Sequence, residues 1–343
     1  MADGDGRQRR AFIGSFTAAG GPGIVTAAVA PVTGALTLLG SLDDLPDPSY
    51  LALAPDGNTL YAVSETAEGA VAAYRVTGKR PEPAGRPVPV GAGPTHLGLY
   101  DGHVLTADYG SGSVTAVPLR PDGTLAGPAS GVLRHSGSGP HTLRQQGPHA
   151  HQVQADPSGR WAVSVDLGTD SVHVCTLTDG TPHPHRTIAL RPGSGPRHLA
   201  FHPDGTHAYV LNELTPSLTV CRWDAAEGLL KPLTEVQVLP AAPAGDAYPS
   251  GVVVSPDGRF VWTATRGEDV LSTFAVTGDA LRLVATVPCG GHWPRAIAEA
   301  DGFLYAANER SGDVTWFALD QETGLPRRAG AVRVPAASCV VFA

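Results

Sequence analysis

Several things are missing from this chain, and each absence excludes a class of protein. There is no basic block: a formal charge of −8 over 343 residues argues against sustained nucleic-acid binding. No run approaches the roughly 20 apolar residues that a membrane span needs. The opening MADGDGRQRRAF lacks the apolar core of a signal peptide. A soluble, cytoplasmic protein without a membrane partner is expected. The four cysteines (Cys175, Cys221, Cys289, Cys339) stand far apart with no Cys-x-x-Cys pair, which reads as reduced, buried thiols. No Gly-x-Ser-x-Gly occurs; GSGP at 137–140 and 193–196 are loop sequences, so no covalent nucleophile is evident. Stretches of helical period are nearly absent.

Glycine and proline, by contrast, are abundant, with 42 and 31 residues spread along the chain. That distribution suits many short strands joined by turns. Six pieces share one form: SYLALAPDGNTLYAVSE (49–65), THLGLYDGHVLTADYGSGSV (95–114), HQVQADPSGRWAVSVDLGTDSV (151–172), RHLAFHPDGTHAYVLNEL (197–214), SGVVVSPDGRFVWTATRGEDVL (250–271) and RAIAEADGFLYAANERSGDV (295–314). Each is an apolar run, a turn and a second apolar run. In Pro-Asp-Gly, proline presets φ, aspartate bonds locally and glycine accepts positive φ.

The turns start near 55, 101, 157, 203, 256 and 301, so successive gaps run from 45 to 56 residues. At a mean near 49, the 343 residues hold seven units. The seventh is split: SCVVFA (338–343) resembles a first strand and RAFIGSFTAAGGPGIVTAAV (10–29) the second and third. A third apolar stretch follows the hairpins, such as GAVAAYRV (69–76), and a weaker fourth precedes the next unit, such as LRLVATV (281–287). The pattern predicts an all-β, seven-bladed propeller whose ring closes by pairing N- and C-terminal strands within one blade. One domain then covers 10–343, and the polar residues 1–9 form a disordered tail.

In such a blade the innermost strand lines the channel and the next runs antiparallel to it. The Pro-Asp-Gly turns lie on one face, where Asp56, Asp204 and Asp257 are explained by turn chemistry. Residues just before and just after each hairpin must meet at the opposite mouth. That mouth gathers Arg197, His198, Asn212 and Glu213 from one unit and His149, His151 and Asp166 from the unit before. Arg266, Arg295, Asn308 and Glu309 come from the units after, and Glu65, His96, Asp108 and Tyr109 from the other side. Buried charges cost several kcal/mol each unless paired, so a ligand site is expected there. The plainer alternative is that arginines and glutamates pair to solvate the pore or to staple blades.

These motifs, running nearly end to end, resemble the lactonase family of seven-bladed propellers. That family includes propeller-type 6-phosphogluconolactonases and fungal carboxy-cis,cis-muconate cyclases. The resemblance is carried by FIGSFT (12–17), GPTHLGLYDGHVLTADYGSGSV (93–114), QQGPHAHQVQADPSGRWAVSVDLGTDSV (145–172), GPRHLAFHPDGTHAYVLNEL (195–214), PSGVVVSPDGRF (249–260), TRGEDVL (265–271) and SCVVF (338–342). It implies His151, Arg197, Glu213 and Arg266 as catalytic residues. Two histidines share one motif, and the second aligns with the strand start. The other mouth residues His96, Tyr109, His149, Asp166, His198, Asn212, Arg295 and Glu65 are expected to bind substrate. Ser64-Glu65 departs from the usual Asn-Glu, and Ala107-Asp108-Tyr109 from Ala-Asn-Tyr, which bears on substrate identity.

Opening a lactone, a cyclic ester, takes a deprotonated water, a stabilised oxyanion and a proton for the leaving alkoxide. Either His151 or Glu213 fits the general base. Arg197 and Arg266 present planar donor forks suited to an oxyanion, carboxylate or phosphate. The implied partner is a small anionic lactone, 6-phosphogluconolactone, hydrolysed by a monomer with no cofactor and no metal. The histidines of TPHPHR (181–186) read as a solvated loop, and Trp293 is placed to floor the site. Two alternatives stand beside this reading: a lactonising lyase of the muconate type, and a non-catalytic propeller that binds a ligand or partner at the same mouth.

Overall fold

Alternating burial along short runs, broken by Asp-Gly turns, folds this chain into strand after strand. The computed structural model describes residues 9–343. It contains seven antiparallel sheets and a single short 3₁₀ turn, Thr17–Ala19. Numbered along the chain, the inner strands of blades 1 to 6 are Leu51–Leu53, Pro94–Tyr100, Ala150–Ala155, Pro196–Phe201, Tyr248–Val254 and Pro294–Ala300. Their second strands are Thr59–Ser64, His103–Asp108, Ala162–Asp166, His207–Asn212, Phe260–Arg266 and Phe303–Asn308. Third and fourth strands follow outward, and in blade 1 the fourth is broken into Glu82–Pro83 and Val88–Pro89.

Blade 7 is built from both ends of the chain. Ala337–Phe342 is its inner strand and pairs with Arg10–Ser15, in the register Phe12 to Val341 and Ile13 to Val340. Arg9, assigned to the tail from sequence, instead belongs to this blade: its carbonyl accepts the Val29 N–H at 3.0 Å, and its side chain pairs with Asp301. The rest of the expected tail, residues 1–8, lies outside the described residues.

Seven apolar clusters hold the ring, one at each junction between neighbouring blades. Between blades 6 and 7, for example, Tyr305 and Trp316 pack with Ile13, Val25 and Val340. Because every junction is filled, no blade presents an unpaired apolar face. The four cysteines are buried and, among the described residues, unpaired. No described helix is long and apolar enough to cross a membrane.

The turn aspartates act first on their own turns, and Asp156 also accepts the Trp223 indole N–H of the next blade at 3.2 Å. Asp56 accepts the Asn58 N–H at 2.9 Å and Asp204 the Thr206 N–H at 2.8 Å, with Gly57 and Gly205 at φ +68° and +73°. From this face the central channel runs inward as a cavity of about 800 Å³. Gln154, Val252 and Val254 line it, and His96 and His198 stand among its inner wall. A cavity of about 620 Å³ beside Asp257, Trp262 and Gln321 is lined by none of the residues assigned to the opposite mouth.

Candidate active site

At the opposite mouth the strands break register. In six blades the pairing of inner and second strand slips by one residue near the start of the inner strand. The extra residue is Thr95, His151, Arg197, Ser250, Arg295 or Ser338. A bulge bends the strand and re-aims a side chain. In regular β structure Arg197 and His198 would point to opposite faces. Here Arg197 Nη1 donates to His198 Nε2 at 3.3 Å, so both reach the channel side. Gly195, at φ +60°, lets the chain enter this bulge, and its carbonyl accepts the Glu213 N–H at 2.7 Å.

Glu213 is the hub. Its Oε2 lies 3.0 Å from Arg197 Nε and 2.9 Å from Arg266 Nη2, and its Oε1 accepts from Arg144 Nη2 at 2.7 Å. Burial alone would raise this carboxyl; Arg266, Arg197 and Arg144 outweigh burial and hold it at about 2. So held, the carboxylate is ionised and committed to three guanidinium groups. Arg197 is also anchored by the Ser250 carbonyl, and Arg266 Nε donates to the Tyr248 carbonyl at 3.2 Å. Arg197 Nε and Arg266 Nη2 are thus held by one carboxylate oxygen of Glu213 as buried ion pairs. A second ion cluster adjoins the hub. Arg295 Nη2 contacts Glu65 at 2.9 Å and its Nη1 contacts Glu309 at 3.4 Å. Arg295 also stacks over Phe16, with 4.6 Å between guanidinium carbon and ring centroid.

His151 is buried beside these cations. Burial, then Arg197 and Arg295, push its imidazole well below 6.5, so it is neutral at neutral pH. Its Nδ1 makes no hydrogen bond among the described residues. The ring contacts His198 at 5.2 Å and Tyr109 at 5.5 Å, both edge to face. His198 in turn contacts His96, which packs on Tyr50 at 4.0 Å. His149 stacks on Tyr109 at 4.3 Å, its Nδ1 2.9 Å from the Tyr109 carbonyl oxygen. The two histidines of the shared motif therefore differ in kind. His151 occupies the bulge against the cation hub, and His149 buttresses Tyr109.

Two expected substrate-binding residues are not presented to the mouth. Asn212 donates Nδ2 to Ser217 Oγ and Thr219 Oγ1, both at 3.0 Å, inside its own blade. Asn308 does the same with Asp313 and Thr315, and Asp108 accepts from Thr106, Ser113 and Thr115. This repeated side chain ends the second strand and fastens it to the third. Asp166 is fully buried in the same position. It accepts the backbone N–H groups of His149 and Thr169 at 2.9 and 3.0 Å and pairs with His135 Nδ1 at 2.7 Å. Ligand atoms of His135, Asp166 and His173 lie within 4.8 Å of one another. The two imidazoles are stacked 3.7 Å apart and 15° from parallel, so their in-plane lone pairs do not converge on one ion.

Arg144 was absent from the sequence-based set. It sits on the 135–149 connection between blades 2 and 3, with its side chain 34% exposed, and it also reaches Tyr109 Oη at 3.3 Å. Gln145 fixes this loop from its buried side, donating to the Leu167 carbonyl and to Asp170. The signal was the 56-residue gap between successive turns, the longest in the repeat. Tyr50 and Tyr248 were missed too, because neither belongs to a charged motif.

The comparisons with known proteins agree with this architecture. The family model "Lactonase, 7-bladed beta-propeller" matches residues 10–342. The 6-phosphogluconolactonase of Bacillus subtilis (strain 168) is 33% identical over 96% of this chain and 97% of its own. That of Pectobacterium carotovorum is 31% identical over 85% and 86%. Among solved structures, a Lactobacillus plantarum protein superposes with a TM-score of 0.92 at 29% identity, covering 98% of this chain and all of that one. The periplasmic gluconolactonase of Pseudomonas aeruginosa superposes at 0.91 and 29%, covering 98% and 99%. The fold, the terminal closure and the family match all lead to one assignment: the chain belongs to the lactonase family of seven-bladed β-propellers.

Proposed function

We propose that this lactonase hydrolyses a sugar-acid lactone, 6-phosphogluconolactone, at the mouth built around Glu213. The substrate comes from the names of the relatives that match almost the whole chain. The chemistry rests on one observation: the buried His151 Nδ1 has no hydrogen-bond partner among the described residues and lies at the mouth that carries the Arg197–Arg266–Glu213 cluster. A buried polar atom left unsatisfied in a native protein calls for an explanation. A water activated for attack supplies the missing partner.

His151 is the general base. It takes a proton from water as the water oxygen bonds to the lactone carbonyl carbon. The carbonyl oxygen becomes an oxyanion, held by the N–H groups of Arg197 and Arg266. The bond to the ring oxygen then breaks, and the proton on His151 passes to the departing alkoxide. The product is the open hydroxy acid, and no atom is left over. Glu213 serves as counter-charge, holding three guanidinium groups in register in the absence of substrate. The substrate reaches them past Arg144, the most exposed member of the hub.

The cationic form of His151 is disfavoured by burial, Arg197 and Arg295, so the ring meets the substrate neutral, with a lone pair able to take a proton. The oxyanion that develops beside Arg197 and Arg266 offsets their charge and favours the imidazolium as it forms. The four unpaired buried thiols support a cytoplasmic location. The test is acid release from phosphorylated and plain lactones at constant pH. Hydrolysis of 6-phosphogluconolactone that depends on His151 is the expected result, and no acid release from any lactone overturns the reading.

A further inference from the structure

The mouth arginines divide by partner. Arg144, Arg197 and Arg266 share Glu213, and Arg295 is held by Glu65 and Glu309. Arg310 differs. It is exposed, follows Glu309 at the corner of blade 6, and pairs with no carboxylate among the described residues. Its guanidinium carbon lies 3.3 Å from the centroid of the Trp293 ring.

Trp293 is itself unusual. Its φ of +67° is a conformation that bulky side chains rarely adopt. Two contacts impose it: the Trp293 N–H donates to Asp269 Oδ1 at 2.8 Å, and the Trp293 carbonyl accepts the Glu309 N–H at 3.0 Å. Strain of this kind persists where the surroundings over-determine it, and it concentrates at functional sites. Its effect here is to set the indole beside two arginines. Arg266 approaches the same ring at 5.6 Å, and Tyr248 meets it edge to face at 6.2 Å.

We propose that Arg310, set over Trp293, receives a phosphate carried at the far end of the substrate, and that this corner distinguishes phosphorylated from plain sugar lactones. The proposal rests on the function assigned above. The reacting carbonyl belongs with His151, Arg197 and Arg266, so a terminal phosphate must lie away from them, toward the rim. The hub cations are already partly compensated by Glu213. A phosphate dianion needs a cation whose charge is not spent, and Arg310 is that cation. Contact with the indole face restrains the guanidinium, and a guanidinium has the N–H fork that grips phosphate through two parallel bonds. With a net charge of −8 on the chain, capture of an anion depends on such local cations.

The test compares wild type, Arg310→Gln, Arg310→Lys and Trp293→Gly. Each is assayed for hydrolysis of 6-phosphogluconolactone and of plain gluconolactone, and titrated calorimetrically with 6-phosphogluconate and gluconate. Arg310→Gln is expected to raise KM for the phosphorylated lactone, and Kd for 6-phosphogluconate, about tenfold or more. Its kcat and its values for the plain compounds stay unchanged. Arg310→Lys recovers part of the loss. Trp293→Gly, which tolerates the backbone conformation, loses the same preference for phosphorylated ligands because the stack is gone. Equal losses on both ligand classes, or no loss, overturn the proposal. A wild type that opens lactones but binds gluconate as tightly as 6-phosphogluconate overturns it and leaves the lactonase reading standing. A wild type that opens no lactone yet binds 6-phosphogluconate through Arg310 does the reverse. Binding of neither acid overturns it as well.

Discussion

Arg197 Nε and Glu213 Oε2 stand 3.0 Å apart at the two ends of one hairpin. The hairpin brings the ends to one face, and the bulge at Arg197 turns its side chain toward the channel. With Arg266 and Arg144 also on it, Glu213 is an anion among three guanidinium groups, and in the function proposed above the proton-accepting role falls to His151.

Glu213→Gln should therefore cost stability as well as activity. Removing one member of a buried ion cluster typically costs about 3–5 kcal/mol, because the remaining charges lose their partner. The native pKa of Glu213 lies below its ordinary 4.5, at about 2. The stability it brings is fully present above pH 4.5 and is lost as pH falls toward 2, an effect of about 3 kcal/mol. Urea unfolding between pH 2 and 7 should show a shallower acid loss in the variant than in wild type. Parallel curves would return Glu213 to an uncoupled role.

The histidine prediction concerns the shape of pH profiles. In the free protein His151 is held well below 6.5 by burial and by Arg197 and Arg295, so the acid limb of kcat/KM should lie below pH 6.5. His151→Asn should lower kcat by about 10²–10⁴ and remove the limb. A limb that survives in the variant would assign the base elsewhere.

Arg197→Lys keeps the charge and loses the fork. The ammonium cannot hold the Ser250 carbonyl, reach Glu213 and still offer an N–H to an oxyanion. Loss of one oxyanion donor lowers kcat by about 10²–10³. Steady-state kinetics should show the fall in kcat, with KM much less affected. An unchanged kcat would place the oxyanion away from Arg197.

Asn212 and Asp166 should separate stability from catalysis. Asn212→Ala deletes the bonds to Ser217 and Thr219 inside blade 4. About 1–3 kcal/mol of stability should go, with kcat/KM near wild type below the melting range. Asp166→Ala, which frees the backbone of His149 and Thr169, should weaken both stability and turnover, because His149 supports Tyr109. A selective loss of turnover in Asn212→Ala, with stability intact, would restore Asn212 to the substrate site.

The repeat was legible because its signal is local: Asp-Gly chemistry marks a turn whatever surrounds it, and the split seventh unit follows from counting. The convergence of Arg197 with Glu213 was legible too, since an antiparallel hairpin brings its ends together. The sorting of neighbours was not. Glu213 and Asn212 are adjacent in sequence, yet one faces the hub and the other fastens the blade, and the bulges that re-aim the facing strand are a property of pairing rather than of residue type. Arg144 escaped because it lies in a connection outside the repeat. The meeting of three guanidinium groups on the Glu213 carboxylate, on which the proposed choice of His151 as base rests, is a matter of distances that no motif records.

The bulge ring has a consequence for how this scaffold changes. Each bulge adds one residue to the start of an inner strand while the rest of the blade stays paired. Three bulges carry His151, Arg197 and Arg295; Thr95, Ser250 and Ser338 occupy the others with small hydroxyls, and Thr95 and Ser250 spend theirs on the carbonyls of His151 and Pro294 in the next blade. The same backbone position thus presents a charged group in one blade and ties two blades together in another. Chains that share this ring can diverge in substrate while keeping every strand, and the bulge residues are the positions to compare when sorting one activity from another.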